Sequence, residues 1–264
     1  MVKIAIIGGT GVYDPDLLDD IREVVQETKY GSVNVTIGNF EGQEVVFIPR
    51  HGSNHSVPPH LINYRANIMA LKELGVENII ATAAVGSINL DLKPGDFVLA
   101  DQFLDFTKVR NHTFFAGGDA GVTHCDMTIP YCPRVRKAIE EAGKVESKKI
   151  HNGGVYVCTE GPRFETAAEI DMFKILGGDL IGMTSVPEVT LARELGICYG
   201  NISIVTNFAA GISSTILTHS EVVEKMQTTI ADVRVLIMNA IKHLDNETSC
   251  DCAKILDETE MKND

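Results

Sequence analysis

A chain of 264 residues with 44% hydrophobic and 22% charged side chains can bury a substantial core, and nothing in it reads as disordered or fibrous. Its formal charge of −13, from 36 acidic and 23 basic residues without a basic cluster, excludes nucleic acid and anionic membranes as partners. Any bound anion must then be held by a few placed groups in a pocket. The first apolar run is too short for a signal peptide and no stretch reaches roughly 18 apolar residues, so a cytoplasmic protein is expected.

In chain order, residues 2–7 form a β-branched run that enters the turn Gly8-Gly9-Thr10-Gly11, the pattern of a buried strand and a tight loop. Residues 33–37 and 44–48 read as a strand pair around Gly42, and 61–74 as a helix stopped by Gly75. Strands are predicted at 78–84, 97–100, 153–159, 180–183 and 197–206, and helices at 134–142, 167–176, 187–194 and 220–242. The last helix carries the stripe Val222, Met226, Ile230, Val233 and Ile237. Residues 105–133 are irregular, which marks them for function or contact. This order of elements predicts an α/β fold: a single-domain three-layer sandwich with a mixed central β-sheet flanked by helices, over residues 1–245. Residues 246–264 form a polar tail, expected to be mobile, with the pair Cys250-Asp251-Cys252. A disulfide within that pair would close a small, strained ring. Cys125, Cys132, Cys158 and Cys198 read as scattered small apolar residues.

Several segments at strand ends could carry chemistry. Gly8-Gly9-Thr10-Gly11 can bring backbone N–H groups to an anion, or can be a plain turn; it lacks the full spacing of a dinucleotide site, and no acidic ribose reader is evident. In Pro49-Arg50-His51-Gly52 an arginine can fork onto phosphate and a histidine can add a bond. His55 and His60 lie near, but Pro58-Pro59 breaks any helix that would align them on a metal. Ala81 to Ser87 places small residues where main chain can approach a ligand. Thr159 to Thr166 sets an aromatic ring beside a carboxylate. Gly182 to Glu188 and Val205 to Gly211 are further strand-to-loop transitions, the second offering Asn207 as both donor and acceptor.

Together Ile6-Ile7-Gly8-Gly9-Thr10-Gly11, Arg50-His51-Gly52, Asn63-Tyr64-Arg65-Ala66-Asn67, Glu160-Gly161-Pro162-Arg163-Phe164 and Met183-Thr184-Ser185-Val186-Pro187-Glu188 resemble the trimeric purine nucleoside and methylthioadenosine phosphorylases, over residues 4–244. The resemblance implies a pentosyltransferase of purine salvage, in which inorganic phosphate is co-substrate and neither cofactor nor metal is needed. Thr10, Arg50, His51, Thr184 and the backbone at Ala83 and Ala84 would hold phosphate, although Ala83 replaces a threonine of the methylthioadenosine enzymes. Met183 would lie under the ribose and Phe164 against base or sugar. His124 would reach a neighbouring subunit's pocket, which implies a homotrimer, with pairing into hexamers left open.

Specificity is expected to favour 6-oxopurines such as inosine and guanosine. Asn207, followed by Phe208 and Ala209, stands where adenine-specific relatives read the base with aspartates, and Glu165 can accept from N1–H. His219 resembles the histidine that binds a ribose 5′-hydroxyl. A methylthioinosine or methylthioadenosine phosphorylase is the alternative. Asn207 and His51 are the catalytic candidates: Asn207 would steady the departing base, and His51 with Arg50 and Thr184 would position phosphate. A dehydrogenase and a non-enzymatic binding module are the readings from other classes.

Overall fold

The computed structural model describes residues 4–9, 12, 17–52, 56–213, 218–244 and 250–254, except for the side chains of 219 and 221. The predicted architecture is present. A mixed sheet of eleven strands has a helical layer on each face. No helix among the described residues is long and apolar enough to cross a membrane.

The strands are β1 (Ile4–Gly8), β2 (Asp19–Gln26), β3 (Val33–Phe40), β4 (Gln43–Pro49), β5 (Asn78–Ser87), β6 (Phe97–Leu99), β7 (Gln102–Phe106), β8 (Ile150–Asn152), β9 (Val155–Thr159), β10 (Leu180–Gly182) and β11 (Cys198–Phe208). The helices are α1 (Tyr64–Glu73), α2 (Pro133–Val145), α3 (Ala167–Ile175), α4 (Ser185–Glu194) and α5 (His219–His243). One path through the sheet runs β2-β3-β4-β1-β5-β10-β9-β7, while β11 lies between β5 and β6, and β6 also pairs with β8.

Period-two alternation in β1 sends Ala5 and Ile7 to one face, with Tyr64, Ile68 and Leu71 of α1 and Val189 and Leu191 of α4. Ile4 and Ile6 point to the other face, with Val135 and Ile139 of α2 and Val233, Leu236 and Ile237 of α5. Each such aliphatic side chain, fully buried, contributes about 1.5–3 kcal/mol. A smaller cluster joins Ile170 and Phe173 of α3 to Ile88, Val157 and Ile181.

Local chemistry sets the helix starts. α1 begins later than the sequence pattern suggested, because Pro59–Leu61 forms a short 3-10 turn and Asn63 caps the helix by accepting from Ala66 N. Thr166 and Glu169 form a reciprocal capping box at α3.

The arrangement around β5 positions the site. On one edge β11 follows it along its length in parallel. The other edge is shared: β1 pairs in parallel with residues 78–81, and β10 pairs antiparallel with Gly86 and Ser87. Among the described residues, 82–85 therefore have no strand neighbour on that edge.

Candidate active site

Into this gap opens a cavity of about 600 Å³, lined by Thr82, Ala83, Ala84 and Val85 and by the ends of the neighbouring strands. Ligands of α/β proteins bind at such strand ends, and here the main chain of β5 has groups to offer because no strand covers them.

At one part of the wall stand Gly9, Arg50, His51 and Thr184. Arg50, 3% exposed, is aimed by Glu188: Nε donates to Oε2 and Nη2 to Oε1, each at 2.7 Å, and Nη1 donates to Thr82 O at 2.8 Å. Tyr199 Oη also donates to Glu188 Oε1 at 2.7 Å. Burial works against the guanidinium's charge, but Glu188 outweighs it and raises the pKa. The bidentate fork expected to grip phosphate is thus used on Glu188. To an anion in the cavity Arg50 can offer its fixed charge and one remaining Nη1 hydrogen.

His51 Nδ1 donates to Val57 O at 2.8 Å, since a carbonyl can only accept. In the neutral ring the proton therefore sits on Nδ1, and donation from Nε2 to a phosphate requires imidazolium. Thr184 lies just before α4 and makes no side-chain cap with it. Its backbone N–H points toward Tyr156 Oη at 3.4 Å.

The other part of the wall holds Phe164, Glu165, Met183 and Asn207. A register shift between Val205 and Asn207 interrupts the pairing of β11 with β5, a bulge of the kind that re-aims side chains beside binding sites. Asn207 Nδ2 donates to Phe208 O at 2.8 Å, and Oδ1 accepts from Thr206 Oγ1 at 2.7 Å. These partners fix which way the amide faces and leave Nδ2 a second hydrogen for a ligand.

Burial raises the Glu165 pKa above the ordinary carboxylate value, opposed in part by Thr159 Oγ1 donating to Oε1 at 2.6 Å. The sign of this shift gives two expectations. In the role that the sequence resemblance implies, accepting a base N–H, Glu165 must be ionised, so kcat/KM should then fall on acidification through a pKa above the usual carboxylate range. Glu165→Gln should remove that limb and lower kcat/KM at neutral pH by about 10- to 100-fold, the worth of a charge-assisted bond. Because a raised carboxylate pKa contributes stability only at low pH and loses it as pH rises through the folded value, the same variant should melt no lower than the parent at neutral pH. Parallel pH-rate profiles and melting curves check both.

Beneath the wall Arg110, from the irregular 105–133 segment, gathers the two strand-end loops. Its Nη1 donates to Met183 O and Val186 O at 2.7 Å and to Tyr64 Oη at 3.2 Å. Nη2 donates to Thr159 O at 3.1 Å and Glu160 O at 2.8 Å, and Nε donates to Glu160 Oε1 at 3.0 Å. Although desolvation opposes it, bonds from the backbone of Lys108 and Val109 and from Arg110 hold the Glu160 carboxyl below its usual range. Burial pushes the phenols of Tyr64, Tyr131, Tyr156 and Tyr199 upward, so they remain neutral. Gly161 (φ +67°) lets its loop pass Met183, where an added Cβ would meet Sδ at 2.6 Å, and at Gly182 a Cβ would meet Tyr156 Oη at 2.0 Å.

Of the sequence candidates, the structure brings Arg50, His51, Ala83, Ala84, Phe164, Glu165, Met183, Thr184, Asn207 and Ala209 to one cavity. Phe208 is half-buried and outside that lining, and His124 is exposed on the long loop. Thr10, His55 and the His219 side chain lie outside the described residues. Sequence reasoning missed Arg110, the pairing role of Glu188, Thr206, and the part of the wall made by Val222, Val223, Met226, Gln227 and Ile230 of α5. The helical stripe contained three of those α5 residues but did not place them at a cavity.

Known proteins resemble this chain in sequence and fold. Residues 3–242 match the Phosphorylase superfamily. The chain is 56% identical over 261 residues to a probable 6-oxopurine nucleoside phosphorylase of Thermococcus kodakarensis, covering 97% of this chain and 98% of that one. It is 54% identical to the 6-oxopurine nucleoside phosphorylase of Pyrococcus furiosus, with the same coverages. A crystal structure of methylthioadenosine phosphorylase from an antarctic soil metagenomic library superposes with a TM-score of 0.90 at 36% identity, covering 96% of this chain and 90% of that one. The protein belongs to the Phosphorylase superfamily.

Proposed function

We propose that the protein is a purine nucleoside phosphorylase that splits inosine and guanosine with inorganic phosphate, giving free base and ribose 1-phosphate for purine salvage. The observation that carries this reading is one cavity whose wall brings together Arg50, His51 and Thr184, groups suited to an anion, and Glu165 and Asn207, groups suited to the edge of a base. Phosphate attacks the anomeric carbon as the bond to the base breaks, and negative charge collects on the purine. The second Nδ2 hydrogen of Asn207 donates to N7 or O6 as that charge grows, a bond stronger in the transition state than before it. Glu165 accepts from N1–H, which oxopurines carry and neutral adenine lacks. The high identity to 6-oxopurine enzymes supports the same substrate class.

Phosphate is the co-substrate, and the chemistry calls for no cofactor or metal at the site. Backbone at Ala83 and Ala84, with Thr10, completes the phosphate set, and His219 binds the 5′-hydroxyl. The exposed His124 serves a neighbouring subunit in a cytoplasmic homotrimer. A second reading, cleavage of methylthio nucleosides, has one observation in its favour. The α5 part of the wall, Val222, Val223, Met226 and Ile230, is apolar enough to receive a thioether.

The deciding experiment measures phosphate-dependent base release from inosine, guanosine, adenosine, methylthioinosine and methylthioadenosine. Inosine and guanosine are expected to be cleaved and adenosine refused; preference for the methylthio substrates supports the second reading, and no phosphorolysis of any overturns both. Asn207→Asp should lower kcat/KM for inosine by about 100- to 1000-fold, in the range of a lost transition-state donor. A carboxylate there would face the Phe208 carbonyl instead of donating to it. Unchanged inosine cleavage by this variant would remove Asn207 from the mechanism.

A further inference from the structure

Away from the cavity, Cys132, Cys198, Cys250 and Cys252 come from the start of α2, the start of β11 and the segment after α5. Their four sulfur atoms all lie within 4.8 Å of one another, and those of Cys198 and Cys250 are 3.3 Å apart. Cys132 and Cys198 are buried in the apolar core, as read from the sequence, but they are not scattered. A tetrahedral ion with metal–sulfur bonds of about 2.3 Å holds its sulfurs about 3.8 Å apart, within the spread found here.

We propose that these four cysteines bind one structural zinc ion, which ties the segment after α5 to the sheet. Cys132, Cys198 and Cys252 are buried, so the site is closed, as structural zinc sites are and catalytic ones are not. Two ligands sit on rigid backbone: Cys132 N donates to Tyr199 O at 2.8 Å and Cys198 N to Glu77 O at 2.9 Å. The other two flank Asp251, and Cys252 lies within the turn in which Lys254 N donates to Asp251 O. On binding, four thiols release four protons to solvent and four sulfur–metal bonds form, with no change of oxidation state. The resulting dianionic centre has positive neighbours in the α2 N-terminus and in Arg134, whose Nη2 donates to Cys198 Sγ at 3.4 Å. All four cysteines are free thiols, and the 3.3 Å approach joins Cys250 to Cys198 and not to its neighbour Cys252, an arrangement that one ion satisfies at all four sulfurs.

The test is metal analysis of the full-length protein purified without chelator. About one zinc per chain is expected, released by a thiol-binding mercurial. Cobalt replacement should give the thiolate charge-transfer band and the tetrahedral ligand-field bands. Cys252→Ser should cut bound zinc roughly tenfold or more and lower the melting temperature. If that variant does not fold, Cys132→Ser and chelation of the parent protein provide the same readouts. Absence of zinc and of the cobalt spectrum in the parent overturns the proposal, whether the thiols titrate as free or an intact mass shows two disulfides.

Discussion

Glu188→Gln is expected to cost about 3–5 kcal/mol of folding stability, the penalty of removing one partner from a buried ion pair. The side chains of Arg50 and Glu188 are 1% and 0% exposed, so no water replaces the lost charge. The amide can still accept one bond, but it brings an NH2 against a guanidinium that has only donors. For a chain of this size the loss lowers the melting temperature by roughly 6–20 °C. Activity should fall as well, because Arg50 then turns from the cavity wall toward whatever acceptors remain. A melting temperature within a degree of the parent would show that Arg50 is held by its bonds to Thr82 and Ile7 and not by Glu188.

Arg110→Lys should be comparably severe, although it keeps the charge. The guanidinium reaches six acceptors on Tyr64, Thr159, Glu160, Met183 and Val186, and an ammonium has three donors. At least three acceptors lose their partner, each at about 1–3 kcal/mol where buried. The loops released are those carrying Glu165, Met183 and Thr184, and a displacement near 1 Å of such groups costs about 100-fold in rate. The critical measurement is kcat/KM per folded molecule at a temperature where the variant is stable. A drop there, with KM for phosphate and nucleoside both raised, identifies a positioning role; full activity with a lowered melting temperature would mean that Arg110 only holds the fold together.

Much of this arrangement can be read from the residues. β1 is a continuous apolar run, and β5 and β11 are buried along nearly their whole length, because helices cover both faces of the sheet. Their ends carry the small residues that form the cavity. Edge strand β2 was missed because Asp19-Asp20-Ile21-Arg22-Glu23 reads as a solvated surface; its strand form comes from pairing with β3, and its charges suit an edge. Arg110 was hidden for another reason. Five of its bonds go to backbone carbonyls or a phenol, and carbonyls have no letter in a sequence. Glu188 was visible within a quoted segment, but its partner lies 138 residues away and only the fold joins them. For α5, periodicity identified the apolar face correctly but could not show that Val222, Met226 and Ile230 overlook a cavity while Val233 and Ile237 enter the core.

The uncovered edge of β5 bears on how freely this protein can change its sequence. Where the groups offered to a ligand belong to the main chain, exchange of one small side chain for another, as at Ala83, leaves them in place. Such latitude ends abruptly at Gly86, where a Cβ would meet Ile181 Cγ2 at 2.9 Å and Asn207 Nδ2 at 3.1 Å. Drift along this strand is therefore limited by bulk more than by chemistry. Variation that alters substrate choice is left to the opposite wall, where side chains of α5 and of the loops after β9 and β11 form the surface.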